Sequence, residues 1–157
     1  MSILELPRES KNNNQIVEEM VRIEKKLFPK HESLARNFTE ELKKRNSGVL
    51  YSQVGDELVV GYVMYSSPSP SIASITKLAV KEKYRRQGHG EALLRAAIAK
   101  CRGRNIQRIC LHVDPLRTPA FSLYEKLGFK IDALIEGYYS PDRSAYRMYL
   151  DFSEDFC

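Results

Sequence analysis

The sequence predicts an α/β layered domain built on a mixed, mostly antiparallel sheet. Three observations carry that expectation. Short runs bounded by turn residues alternate apolar and polar positions with period two. Other segments place apolar residues at helical spacing. The order reads βααββ and then βαβαββ, so one strand–helix–strand crossover sits among antiparallel neighbours, giving seven strands and about four helices. A chain of 157 residues suits a single domain, 1–157.

Ile3–Leu6 alternates weakly and predicts a first strand. Ile16, Met20, Ile23 and Leu27 fall on one helical face, with Glu18, Glu19, Glu24 and Lys25 off it. Phe28-Pro29 ends that helix, because proline disfavours a helical residue before it. A second helix starts after Ser33 and aligns Leu34, Phe38 and Leu42. Val49–Val54 and Leu58–Tyr65 read as a hairpin turned by Gly55-Asp56, and Ile72–Val80 as a fourth strand beyond "SSPSPS". A helix follows from about Gly90 to Cys101, with Glu91 and Arg95 at ion-pair spacing. Ile106–Val113 is a strand. In "TPAFSLYEKLGF", Thr118 suits the cap, Pro119 the first helical position and Gly128 the residue past the end. Phe129–Ile135 and Ala145–Phe152 close the order as a strand pair.

No apolar run is long enough to span a bilayer, and no basic-then-apolar leader opens the chain. Three scattered cysteines, Cys101, Cys110 and Cys157, form no ligand pattern and suit a reducing compartment. The expected location is the cytoplasm, with nuclear access through small size. No metal is implied. The formal charge of +5 is modest, but Lys81, Lys83, Arg85 and Arg86 cluster, as do Arg102, Arg104 and Arg108. Such groups mark either an anionic ligand, nucleic acid included, or a solvated face.

The first cluster runs into "KYRRQGHGEALL", Lys83–Leu94, where a strand has just ended and a helix begins. Gly88 and Gly90 let backbone approach a ligand closely and take unusual dihedrals. The helix start leaves N–H groups unpaired and carries partial positive charge, which suits a phosphate or pyrophosphate. Arg85 and Arg86 can add charge-assisted contacts. The segment is neither a Walker loop nor a dinucleotide-binding fingerprint.

"RRQGHG" resembles the [RQ]xxG-x-[GA] acetyl-CoA loop of the GNAT N-acetyltransferase superfamily, and "AFSLYEKLGF" is similar to that family's "A-x-x-L-Y-x-x-x-G-F" helix. The order of elements agrees along nearly the whole chain, most closely with protein N-terminal acetyltransferases. The resemblance implies the GNAT fold, in which the fourth and fifth of seven strands splay apart. It implies acetyl-CoA as co-substrate, with Leu78, Ala79 and Val80 beside pantetheine and Arg85, Arg86, Gln87, Gly88, His89, Gly90 and Glu91 around the pyrophosphate.

Acetyl transfer from a thioester needs a neutral amine, an oriented carbonyl and a proton for the leaving thiolate. Tyr124 stands where the family has its thiolate-protonating tyrosine; the other reading is a core tyrosine. His112, in "ICLHVD", is either a structural strand histidine or the amine base that some N-terminal acetyltransferases place there. Ser74 stands where histidine-bearing relatives have a tyrosine on the fourth strand, and Arg117 where relatives often have Asn.

Phe28 and Pro29, in "LFPK", and Tyr138 and Tyr139, in "GYYSPDRSAYRMYL", are similar to the acceptor slot of relatives that acetylate protein α-amines. The plain alternatives are core packing for Phe28 and an aromatic hairpin for the tyrosines. The expected function is therefore acetylation of a primary amine, namely a protein or peptide N-terminus. Alternatives are a polyamine or amino-sugar acetyltransferase, and a non-catalytic acyl-CoA or nucleic-acid binding module. A cationic small acceptor calls for an acidic pocket, and the hairpin offers only Glu136 and Asp142. The basic groups lack the interleaved aromatic platform of single-strand binders.

Overall fold

The computed structural model describes residues 2–7, 14–28, 40, 42, 44 and 46–152. In chain order the elements are β1 (Ser2–Glu5), α1 (Asn14–Leu27), β2 (Ser47–Val54), β3 (Glu57–Ser66), β4 (Ile72–Val80), a 3-10 turn (Glu82–Tyr84), α2 (His89–Gly103), β5 (Arg108–Val113), α3 (Thr118–Lys126), β6 (Lys130–Ser140) and β7 (Arg143–Asp151). The strands form one mixed sheet in the order β1-β2-β3-β4-β5-β7-β6. The described residues hold three α-helices. Of the helix expected after Ser33, Glu40 and Leu42 are described, both helical; the rest lies outside the described residues. No helix among the described residues is long and apolar enough to cross a membrane.

The backbone packs as two compact units, Met1–Ser66 with Lys77–Ala97, and Ser67–Thr76 with Ile98–Cys157. In the first, β1, β2 and β3 pair antiparallel, and Gly55, at φ 56°, turns the β2–β3 hairpin. Val49, Tyr51, Val59, Tyr62, Met64 and Ala79 pack with Met20 and Ile23 of α1 as a buried core. The expectation that Glu24 lies off the apolar face of α1 is corrected: Glu24 is fully buried. Positions 20, 23, 24 and 27 form the i, i+3, i+4, i+7 stripe, so Glu24 cannot avoid the core. It is tolerated because the Tyr62 hydroxyl donates to its Oε1 at 2.5 Å. Burial, then the Glu24 carboxylate, pushes the Tyr62 phenol far up, so it stays a donor.

In the second unit, β4 pairs parallel with β5 from Ile72↔Arg108 to Ile75↔Leu111. Ile109, Leu111 and Val113 of β5 are buried, as are Tyr124, Phe129, Ala145 and Met148 of the same unit. Two expectations are corrected here. Thr118 is the first helical residue of α3, not its cap; Arg117 occupies the cap position and makes no side-chain cap bond. The turn is held instead by Asp114, whose carboxylate accepts the Leu116 N–H at 2.9 Å and whose carbonyl accepts that of Arg117 at 2.9 Å. Also, β6 does not stop at Ile135 but runs to Ser140, and β7 begins at Arg143, so Pro141-Asp142 is the turn. Gly137, at φ 66°, makes a register shift within the hairpin rather than its end.

Candidate active site

Consider the first unit. Gly61 of β3 faces β4 so closely that a Cβ there would lie 2.7 Å from the Ala79 carbonyl oxygen. Ala79 is buried, while Leu78 and Val80 are half-buried and lie beyond the β4–β5 pairing, which ends at Ile75. The loop after β4 is shaped by its own backbone. Arg86 and Gly88 take positive φ, 64° and 85°, with Gln87 between them outside that region. Such alternation turns successive N–H groups toward one side, a concavity that suits an anion. The helical ladder of α2 begins with Ala92 N–H donating to the Gly88 carbonyl at 3.0 Å. The N–H groups ahead of it lack an intrahelical acceptor by helix geometry. Gly90, by contrast with the expectation of unusual dihedrals, lies in the first turn of the helix and contributes only small size.

The side chains around this loop are largely engaged. Arg85 Nε donates to the Val80 carbonyl at 3.3 Å, and Gln87 Nε2 to the Lys83 carbonyl at 3.2 Å. Lys81 bridges Glu19 at 2.5 Å and Glu57 at 3.1 Å, and Lys83 reaches Glu57 at 3.0 Å. Glu91 pairs with Arg95 at 3.4 Å, as its spacing predicts. His89 is buried with its ring edge-on to Tyr84, and burial lowers its pKa, so it is neutral and packs rather than binds by charge. The residues thus fit a pyrophosphate presented to backbone amides, with Arg86 exposed in the same loop. Phe28 directly follows α1, packs against the core cluster and carries the Lys77 ammonium 3.8 Å from its ring centroid. Pro29 lies outside the described residues.

The second unit brings His112, Tyr138 and Tyr139 together. The His112 ring stacks on Tyr138 with centroids 4.3 Å apart and planes 7° from parallel, and Tyr138 meets Tyr139 edge-to-face at 4.9 Å. His112 is half-buried, opposite Arg147 in the β5–β7 ladder. Burial first, and the Arg147 charge second, hold its pKa below the ordinary histidine range. Ser74 pairs with Cys110, not His112. It therefore falls one pleat short, about 6.6 Å along the strand.

Tyr124 is 7% exposed on α3. A Schellman cap fixes it: Phe129 N–H donates to its carbonyl at 3.0 Å, Gly128 N–H donates to Glu125 at 3.0 Å, and Gly128 has φ 100°. The Phe129 ring lies edge-on to it. Burial pushes the phenol up to about 12, against a smaller opposite effect of Arg117. Arg117 itself is exposed at the helix start.

Sequence reasoning missed Asp114 and Arg143. Asp114 is 7% exposed and its Oδ2 accepts Arg143 Nη2 at 2.6 Å. The Arg143 guanidinium lies 5.0 Å from the Tyr139 ring centroid. Asp-Pro at a strand end is a turn signal that could have flagged Asp114; nothing local announces Arg143.

Residues 14–129 match the acetyltransferase (GNAT) family. An N-alpha-acetyltransferase of Sulfurisphaera tokodaii is 34% identical over 123 residues, covering 71% of this chain and 73% of that protein. The crystal structure of Ard1 from Thermoplasma volcanium superposes with a TM-score of 0.80 at 27% identity, covering 96% of each chain. An aminoglycoside 6'-N-acetyltransferase complexed with coenzyme A shares the fold, with a TM-score of 0.79 at 17% identity over 96% of this chain and 97% of that one.

Proposed function

The chain belongs to the GNAT acetyltransferase family and so uses acetyl-CoA, and on that premise we propose that its acceptor is the α-amine of a protein or peptide N-terminus. The observation that carries this reading is the His112–Tyr138–Tyr139 cluster. Two phenols beside an imidazole offer a peptide hydrogen-bonding groups, aromatic surface and a proton acceptor together. Support also comes from charge. The cluster has Arg143 against Tyr139 and Arg147 across from His112, while Asp142 accepts a bond from Ser140. That setting disfavours a polycationic acceptor, which is the requirement of the small-amine alternative.

In this reading the Arg85–Glu91 segment holds the pyrophosphate and Leu78–Val80 the pantetheine arm. When bound, acetyl-CoA supplies an acetyl group activated as a thioester. His112, kept neutral by burial and Arg147, accepts the ammonium proton of the acceptor directly or through one water. Tyr124 keeps its proton at Oη throughout the physiological range and so holds it ready for a leaving thiolate. Backbone N–H groups of β4 orient the acetyl carbonyl without charge of their own. We place the enzyme in the cytoplasm.

The test is a screen of free-α-amine peptides against N-acetylated controls, lysine side-chain amines, polyamines and amino sugars, read by thiol release from acetyl-CoA. The reading expects turnover with the free peptides and none with the blocked ones. Turnover confined to polyamines or amino sugars would overturn it.

A further inference from the structure

We propose that Asp114 and Arg143 are positioning residues that hold Tyr138 and Tyr139 against His112, so that an ion pair outside the reacting groups sets the shape of the acceptor cluster. The inference rests on the acceptor reading above only for its kinetic consequence; the geometry stands by itself.

Three observations lead to it. First, the tyrosines lie where the β6–β7 ladder is interrupted. Pairing is regular from Ala133↔Arg147 to Ile135↔Ala145 and resumes at Ser140↔Arg143, with a register shift between. Residues 136–139 of β6 thus face the single β7 residue Ser144, so the ladder holds Tyr138 and Tyr139 less tightly than a regular pair and side-chain contacts add to their positioning. Second, those contacts form a continuous series: His112 on Tyr138 at 4.3 Å, Tyr138 against Tyr139 at 4.9 Å, and Tyr139 under the Arg143 guanidinium at 5.0 Å. Third, the series closes on the residue that directly follows β5. Arg143 Nη2 donates to Asp114 Oδ2 at 2.6 Å, and Asp114 stands two residues after His112.

The anchor itself is firm. Asp114 is buried, and its other carboxylate oxygen accepts the Leu116 N–H at 2.9 Å. A buried carboxylate with a guanidinium on one oxygen and a backbone amide on the other keeps one rotamer. The Arg143 side chain is 25% exposed, so water competes weakly for it. Removing the Arg143 charge leaves the Asp114 carboxylate buried with a lost partner, which costs more than losing a surface pair.

The test uses Arg143→Met, Arg143→Lys and Asp114→Asn in the full chain. Asp114→Asn keeps an oxygen for Leu116 N–H and removes the charge that Arg143 needs. The chain has three histidines, so the His112 ring protons are assigned by NMR against a His112→Gln variant. Stacked on Tyr138, they sit upfield by ring current. We expect Arg143→Met and Asp114→Asn to move them downfield, and Arg143→Lys to restore them in part. With a peptide turned over in the screen above, acceptor KM rises about ten-fold, as for loss of one charge-assisted hydrogen bond. The kcat falls less, and the acetyl-CoA Kd stays within about two-fold, since the donor segment is untouched. If the His112 signals stay in place in both folded variants, the positioning role is wrong. Equal loss of acetyl-CoA affinity and acceptor KM would also overturn it, as a general loss of structure. Signals that move in an enzyme turning over no peptide support the positioning role and remove the peptide reading instead.

Discussion

Gly61→Ala tests the most confined point of the donor strand. An ideal Cβ at Gly61 lies 2.7 Å from the Ala79 carbonyl oxygen and 3.2 Å from side-chain carbons of Leu93 and Val80. Ordinary contacts to a Cβ begin near 3.4 Å, so β4 must retreat by several tenths of an ångström. The obstacle is strand backbone, which cannot rotate aside as a side chain would. Overpacking of this kind costs about 1–3 kcal/mol. At about 2–4 °C per kcal/mol for a chain of this size, Tm falls by about 2–12 °C. The displaced residues include Leu78–Val80, so acetyl-CoA Kd rises as well. Differential scanning fluorimetry and isothermal titration with acetyl-CoA measure both. Gly103→Ala is the control, because its added Cβ meets nothing within 4 Å and its φ lies outside the left-handed region. Unchanged Tm and Kd in Gly61→Ala would refute the argument that β3 sets the position of β4.

Gly88→Ala adds a Cβ into open space at φ 85°, so only conformation is penalised; a left-handed non-glycine residue costs about 1–2 kcal/mol. We expect a Kd for acetyl-CoA about 5- to 30-fold higher with little change in Tm, measured by the same titration. Tyr124→Phe removes a proton donor and should lower kcat about 100-fold or more at intact acetyl-CoA affinity; full turnover would show the phenol to be packing alone. Because burial and Arg147 lower the His112 pKa, kcat/KM should rise with pH through a limb below the ordinary histidine value and then level. As pH falls through that limb the ring gains a proton and ceases to accept one. His112→Gln should abolish the limb. Since Tyr124 is pushed up to about 12, no basic limb from it appears below pH 10.

The backbone shape of the proposed donor segment was legible in the sequence because it depends on local chemistry. Glycines at a strand-to-helix junction declare backbone geometry, and the positive φ of Gly88 is what their pattern predicts. The strand of His112 was equally legible, since β5 keeps strict period two. What escaped depended on distant partners. Glu24 reads as solvent-facing until Tyr62, 38 residues away, supplies its hydrogen bond. Tyr138 and Tyr139 read as loop residues because Gly137 and Pro141 look like turn punctuation, whereas only one of them makes the turn and the other makes an irregularity in a strand. The Asp114–Arg143 pair spans 29 residues and two elements, so neither member carries a local sign of the other.

The four cations of the donor segment form a cluster in sequence but not a bare positive surface. Lys81 and Lys83 are neutralised by Glu19 and Glu57, and Arg85 is turned back onto the Val80 carbonyl. A polyanion laid across this face would displace few condensed counterions, so it would be held loosely and released by modest salt. A diphosphate gripped by neutral amides behaves differently, with an affinity that declines only gently as ionic strength rises. The same internal pairing would weaken any hold of the loop on nucleic acid and leave binding of a diphosphate there largely indifferent to the salt of its surroundings.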